Sequence, residues 1–221
     1  MACDPKFGGG LMRSMFSHSV KFALATVFLA GAGVTMAEAP DSVESCTSCH
    51  GKDGISDDST VPIIAGASDY FLENQLAIFA AEARPCADSY FEEEAEDGAE
   101  NHCALADAMS EDEQIEAAGH YASQPFSPAE QEVDEELVSQ GASIHEAKCD
   151  RCHTDAGALA LDDAGILAGQ WKHYLMHQFK YYRDEERWQP EKMAPEMADL
   201  SDEDMKALAE YYASEGPKRF D

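Results

Sequence analysis

Apolar residues recur at helical spacing through most of the chain. In SDEDMKALAEYYAS (201–214), Met205, Leu208, Ala209 and Tyr212 fall on one face, and Ser201 with Asp204 supplies a capping box at the start. EELVSQGASIHEAKC (135–149) reads as a second helix, and Tyr174, Met176, Phe179 and Tyr182 mark a middle helix with much apolar surface. The helix at 201–214 is expected to pack on the one at 135–149. No stretch alternates strongly enough to be a strand, so the fold class is all-α. One segment has a different pattern. Lys6, Arg13 and Lys21 precede an apolar run from Phe22 to Ala32, and small residues lead to Ala37 and Ala39. This is the layout of a secretory signal peptide, assigned to 1–37. The alternative is an uncleaved anchor, but the run is short of the ~20 residues that a span needs. No later stretch is apolar enough to cross a membrane.

The pattern repeats. IIAGASDYFLENQL overlays GILAGQWKHYLMHQF at an offset of 103, placing Ala65-Gly66 on Ala168-Gly169, Leu72 on Leu175 and Gln75 on Gln178. Further on the offset falls to 91, where MSEDEQIEAAGHYAS lies on LSDEDMKALAEYYAS, with Ser110 on Ser201 and Tyr121 on Tyr212. Two domains of one design are therefore expected in tandem, 38–126 and 127–221, meeting near SQPFSPAEQEVD. The first carries an acidic insertion at about 86–101. Few residues separate Ala37 from Cys46, so its N-terminal helix is expected to be one or two turns. Domains of roughly ninety residues are small for an apolar core alone.

The same offset of 103 relates two short motifs, ESCTSCHGKDG with Cys46, Cys49 and His50, and AKCDRCHTDAG with Cys149, Cys152 and His153. C-x-x-C-H suits covalent attachment of haem c. Two thiols add to the two vinyl groups on one porphyrin edge, and the adjacent imidazole becomes the proximal ligand of the iron. A thioredoxin-like pair needs no adjacent His, and paired zinc knuckles usually lie closer together. Two such motifs in an exported chain imply two covalent haems, which would also supply much of the buried surface.

Charge and cysteine count sharpen the picture. The formal charge is -29, with 44 Asp and Glu against 15 Lys and Arg. Such a surface repels nucleic acid and anionic lipid. It suits either docking to a basic patch on a redox partner or solubility in a saline habitat. Of the seven cysteines, Cys3 falls in the leader and four go to haem, leaving Cys86 and Cys103 as an expected disulfide. That bridge would close the acidic excursion into a loop.

The tandem motifs, the LAGQ..YL..Q block and the M.......LSDED...LA.Y ending resemble the dihaem cytochrome c4 family over nearly all of the chain after the leader. The resemblance implies two tandem class I cytochrome c-like domains, each wrapped around a covalent haem and joined back to back. It implies a carrier of single electrons in the bacterial periplasm, and not an enzyme. Its implied partners are redox proteins: a terminal oxidase, a quinol-oxidising complex or a flavoprotein dehydrogenase. Peripheral membrane association is compatible with it.

In that family the distal Met falls eight residues before the capping Ser, which selects Met193 over Met197 for the second iron. Met197 is then expected to pack under the haem or the helix start, and Met176 and Met205 to be core. Eight before Ser110 stands His102, so the first iron is expected to be held by His50 and His102. Met109 is the alternative, and Cys103 as a thiolate is another. A His/Met iron should sit at higher potential than a His/His iron. Electrons are therefore expected to enter at the first haem and leave from the second. His120 aligns with Tyr211 on the terminal helix, and His145, His173 and His177 read as surface or supporting residues. Arg183 and Arg187 read either as partners of haem propionates or as a solvated helix face. Two rival functions remain. One is a dihaem thiosulfate-oxidising enzyme, for which Cys103 is the only feature. The other is the haem subunit of a flavocytochrome sulfide dehydrogenase-like complex, with any flavin on another polypeptide.

Overall fold

Glycines and capping residues set the helix boundaries of each half. The computed structural model describes residues 39–86, 101–160 and 164–220. The leader, Cys3 and nearly all of the acidic insertion lie outside the described residues. Among the described residues the structure is helical throughout, with no strand.

In the first half, a 3-10 turn at Asp41–Val43 leads to the short α1 (Thr47–His50). Next come α2 (Asp69–Ala80), α3 (His102–Ala108) and α4 (Glu111–Ala122). In the second half, α5 (Glu135–Ile144) runs into a π-helical turn at His145–Cys149. It is followed by the short α6 (Thr154–Gly157), α7 (Lys172–Arg183), α8 (Ala194–Ala198) and α9 (Asp202–Arg219).

The offset of 103 is visible in the backbone. Helices α2 and α7 are both 12 residues long and begin at equivalent positions. The Gly54 carbonyl accepts from Ile64 N at 2.8 Å, and Gly157 from Leu167 N at 2.7 Å. Gly66 N donates to Tyr121 O at 3.0 Å, and Gly169 N to Tyr212 O at 2.8 Å. Gly66 and Gly169 have φ of 68° and 79°, which a β-carbon would oppose. Each pair ties the loop after the haem motif to the terminal helix of its own half.

Both terminal helices open with a capping box, and the one on α9 is that read from sequence. Ser110 and Glu113 cap α4, and Ser201 and Asp204 cap α9. Met205, Leu208, Ala209 and Tyr212 of α9 are buried with Leu175 and Phe179 of α7. On another side α9 packs against α5, where Gly141 lets the two backbones approach: a β-carbon there would meet the Ala207 carbonyl and the Tyr211 side chain. In the first half the 3-10 turn takes the place of α5. Val43 is fully buried against Ala117, Ala118 and Tyr121, and Ser42 Oγ donates to Glu116 at 2.8 Å.

Residues Glu38–Asp221 form one compact unit. The two halves meet along a polar seam. The Gln170 amide both accepts from Ile63 N and donates to Ile63 O, each at 2.9 Å, with Gln170 buried. Trp171 Nε1 donates to Ser56 Oγ at 3.1 Å, Tyr174 N to Ser59 O at 3.1 Å, and Trp188 N to Ala83 O at 2.7 Å. Phe71 packs over Gly165, where a β-carbon would lie 2.8 Å from its ring.

Candidate haem sites

In both motifs the chain turns tightly after the first cysteine. His50 N donates to Cys46 O and His153 N to Cys149 O, each at 2.9 Å. The turn puts the histidine on the same short helical segment as both thiols. Cys46 and Cys149 are half-buried, Cys49 and Cys152 are exposed, and none of the four is in a disulfide.

His50 is buried, and its Nδ1 lies 3.0 Å from the Pro62 carbonyl. A carbonyl can only accept, so Nδ1 carries the proton and Nε2 keeps its lone pair. Burial lowers the pKa of His50 and outweighs the opposing effect of that hydrogen bond. The ring therefore stays neutral, as a metal ligand must be.

His102 faces it. The two ring centroids are 6.2 Å apart, with the planes at 79°. Two metal–nitrogen bonds of about 2 Å, with about 1 Å more from each nitrogen to its ring centre, span about 6 Å. The spacing fits one iron between two imidazoles. His102 opens α3, whose N-cap Asn101 accepts from Cys103 N and Ala104 N. The ring stacks on Phe79 at 4.8 Å, and the Arg84 guanidinium lies 4.1 Å from the centroid of the same Phe79 ring. Burial, then the neighbouring His50 and Arg84, push the His102 pKa down to about 4. Its Nδ1 is buried with no hydrogen-bond partner among the described residues. Cys86 and Cys103 are joined in a disulfide, with Cα atoms 5.3 Å apart. This fixes the residue next to His102.

Met109 is the C-cap of α3 and packs with the first core, beside Ala117, Ala118 and Tyr121. In the second half, Met193 is the N-cap of α8 and half-buried. At the offset of 91, His102 lies on Met193 and α3 lies on α8, so two short helices start at matching places. Met193 packs on the same core cluster as Cys149. Met197 is buried within that cluster, as a packing residue would be.

The most connected polar cluster of the seam was not legible in the motifs. Arg84 and Arg187 are both buried. Arg84 donates to Gln75 at 2.6 Å and to Gln178 at 3.2 Å; Arg187 donates to Gln178 and, at 2.6 Å, to Gln75. Both also hydrogen-bond the buried Tyr174 phenol. Burial alone would raise that phenol's pKa, but the charges of Arg187 and Arg84 outweigh it and the net shift is down. Arg187 Nε is buried with no hydrogen-bond partner among the described residues. Two buried guanidiniums concentrate positive charge at the seam, and a buried charge is stabilised by a nearby anion. The carboxylates of two haems are anions of the right kind. Both Arg84 and Arg187 and both Gln75 and Gln178 obey the offset of 103, and that spacing was the available signal.

Other histidines and arginines resolve differently. Arg187 is not on a solvated face, whereas Arg183 ion-pairs with Asp184 at 2.9 Å and Asp202 at 2.6 Å. His145 is buried, with Nδ1 3.0 Å from the Tyr212 hydroxyl and Nε2 3.4 Å from Asp150. Burial lowers its pKa despite that carboxylate. His120 is half-buried, with Nε2 3.0 Å from the Lys52 carbonyl. No described helix is long and apolar enough to cross a membrane.

Comparison with known proteins bears on the fold. A family profile described as cytochrome C oxidase, cbb3-type, subunit III matches residues 136–211. No curated protein matches the chain in sequence. Reduced recombinant cytochrome c4 from Pseudomonas stutzeri superposes with a TM-score of 0.65 at 25% identity, covering 80% of this chain and 98% of that one. Cytochrome c4 of Acidithiobacillus ferrooxidans gives 0.64 at 23% identity, covering 76% and 98%. Thiosulfate dehydrogenase from Marichromatium purpuratum gives 0.59 at 21% identity, with 76% of this chain matching 36% of that longer one. Fold, motifs and these likenesses together make the chain similar to the cytochromes c4, with their all-helical class I cytochrome c fold and with motifs suited to covalent haem c.

Proposed function

We propose that this chain is a dihaem electron carrier of the bacterial periplasm, with domains at 38–126 and 127–221 and a cleaved leader at 1–37. The observation that carries the reading is the 6.2 Å separation of the His50 and His102 ring centroids, about the span that one iron between two imidazoles would need. Cys46, Cys49, His50 and His102 would hold the first haem; Cys149, Cys152, His153 and Met193 would hold the second. Haem supplies a one-electron ferric/ferrous couple when bound. The protein does the rest. Pro62 fixes the tautomer of His50. Phe79 and the Cys86–Cys103 bridge position His102. Arg84 and Arg187 offer positive charge to propionates at the seam. Two ligands on each iron leave no position for a substrate, which supports a carrier over a catalyst.

The ligand sets order the two potentials, with His/His below His/Met. The acidic surface suits a docking patch of opposite charge on a terminal oxidase, a quinol-oxidising complex or a flavoprotein dehydrogenase. The thiosulfate-oxidising alternative needs Cys103 as a ligand, and its sulfur is committed to Cys86. Spectroelectrochemical titration of the mature protein tests the reading. Two one-electron waves are expected, and His102→Met should raise the lower one and leave the upper one in place. A single haem by mass, or a lower wave unmoved by His102→Met, would contradict it.

A further inference from the structure

Helix α7 carries a second pair of opposed imidazoles outside the haem sites. His173 and His177 stand one turn apart, with Nε2 atoms 3.0 Å from each other. Their ring centroids are 4.7 Å apart, with planes at 47°. Residues four apart share a face of a helix, so both rings rise from a rigid base. That base is anchored on its other side by Leu175, Gln178 and Phe179, all buried. His173 is exposed and His177 half-buried, so a solute ion reaches the pair from solvent.

Two bonds of about 2 Å span about 2.9 Å at a right angle and about 3.3 Å at a tetrahedral angle, so the hydrogen-bonded separation of 3.0 Å brings both nitrogens within reach of one ion. Right angles belong to the tetragonal geometry of Cu(II) and Ni(II), and Cu(II) binds imidazole more tightly than other divalent first-row ions. Without metal the two nitrogens share one N–H···N hydrogen bond. An ion takes both lone pairs once that proton moves to the other ring nitrogen or to solvent. The formal charge of -29 concentrates divalent cations around the protein.

We infer that His173 and His177 form a surface chelate for a divalent late transition metal, with Cu(II) preferred and water completing the coordination. The oxidised holoprotein, stripped of loose metal by a chelator, would be titrated with Cu(II) in a competing glycine buffer and followed by electron paramagnetic resonance. One tight equivalent is expected, with nitrogen hyperfine structure and unchanged haem bands. His173→Ala and His177→Ala should each weaken it by about tenfold or more, and Zn(II) should bind about tenfold more weakly than Cu(II). Far-ultraviolet circular dichroism of both variants should match the parent. Copper binding that survives both substitutions within twofold would assign the ion to surface carboxylates and overturn the inference. So would a copper signal without nitrogen coupling.

Discussion

Arg84 and Arg187 hold the same place in the two repeats, and each reaches across the seam to the other half's glutamine. The arrangement is close to a local two-fold. It converts an internal duplication into an interface, because each guanidinium reaches both its own half's glutamine and the duplicate in the other half.

Removing either guanidinium should therefore weaken both halves. Arg84→Gln and Arg187→Gln should each cost about 1–3 kcal/mol, the usual penalty for orphaning buried hydrogen-bond partners. Because both act on one network, their effects should not add, with a coupling of about 0.5–3 kcal/mol in a double-mutant cycle. Urea denaturation of the single and double variants measures this. On the proposed pairing of these arginines with haem propionates, the haem potentials should also fall.

The two candidate methionines should separate by readout. Met193→Ala should change the optical spectrum of one haem and leave the other intact. Met197, buried among Leu175, Leu200 and Tyr212, should instead cost about 2–5 kcal/mol on replacement by Ala with both haem spectra preserved. Visible spectra recorded through a denaturation series give both results.

How far the sequence reached can be judged from particular residues. The capping box at Ser201 is local chemistry and stands where the sequence placed it, and Ser110, aligned with it, caps α4 in the same way. The stripe of Met205, Leu208, Ala209 and Tyr212 is buried because period and apolarity act within one helix. Helices α3 and α8 are too short to show a period, so only the spacing to the capping Ser pointed to His102 and Met193. His145 read as a surface or supporting residue. It is buried because Tyr212, distant in sequence, gives it a hydroxyl partner. Arg183 and Arg187 looked alike in sequence, but one faces Asp184 and Asp202 and the other faces Gln75 and Gln178. Which of them enters the seam is a tertiary fact that residue type does not encode.

Two glycines in helices should respond with opposite sign. Gly141 has no room for a methyl group against Ala207 and Tyr211, so Gly141→Ala should destabilise by about 1–3 kcal/mol. A β-carbon at Gly119 in α4 meets nothing within 4 Å, so Gly119→Ala should stabilise by about 0.5–1 kcal/mol. Thermal unfolding of the two variants decides.

Reducing the Cys86–Cys103 bridge should loosen the first half in particular. A sequence separation of 17 residues corresponds to about 3 kcal/mol in the chain-entropy account. The double replacement Cys86→Ser with Cys103→Ser should also broaden the spectrum of the first haem, as His102 loses its fixed neighbour. Non-reducing peptide mapping establishes the bridge, and the spectrum reports its consequence.

The most direct test of the account is low-temperature electron paramagnetic resonance of the oxidised mature protein, repeated with His102→Ala. Two distinct low-spin ferric signals are predicted, one from paired imidazoles and one from imidazole with thioether, and only the first should vanish in the variant. Two identical signals, or a first signal that survives the loss of His102, would contradict it.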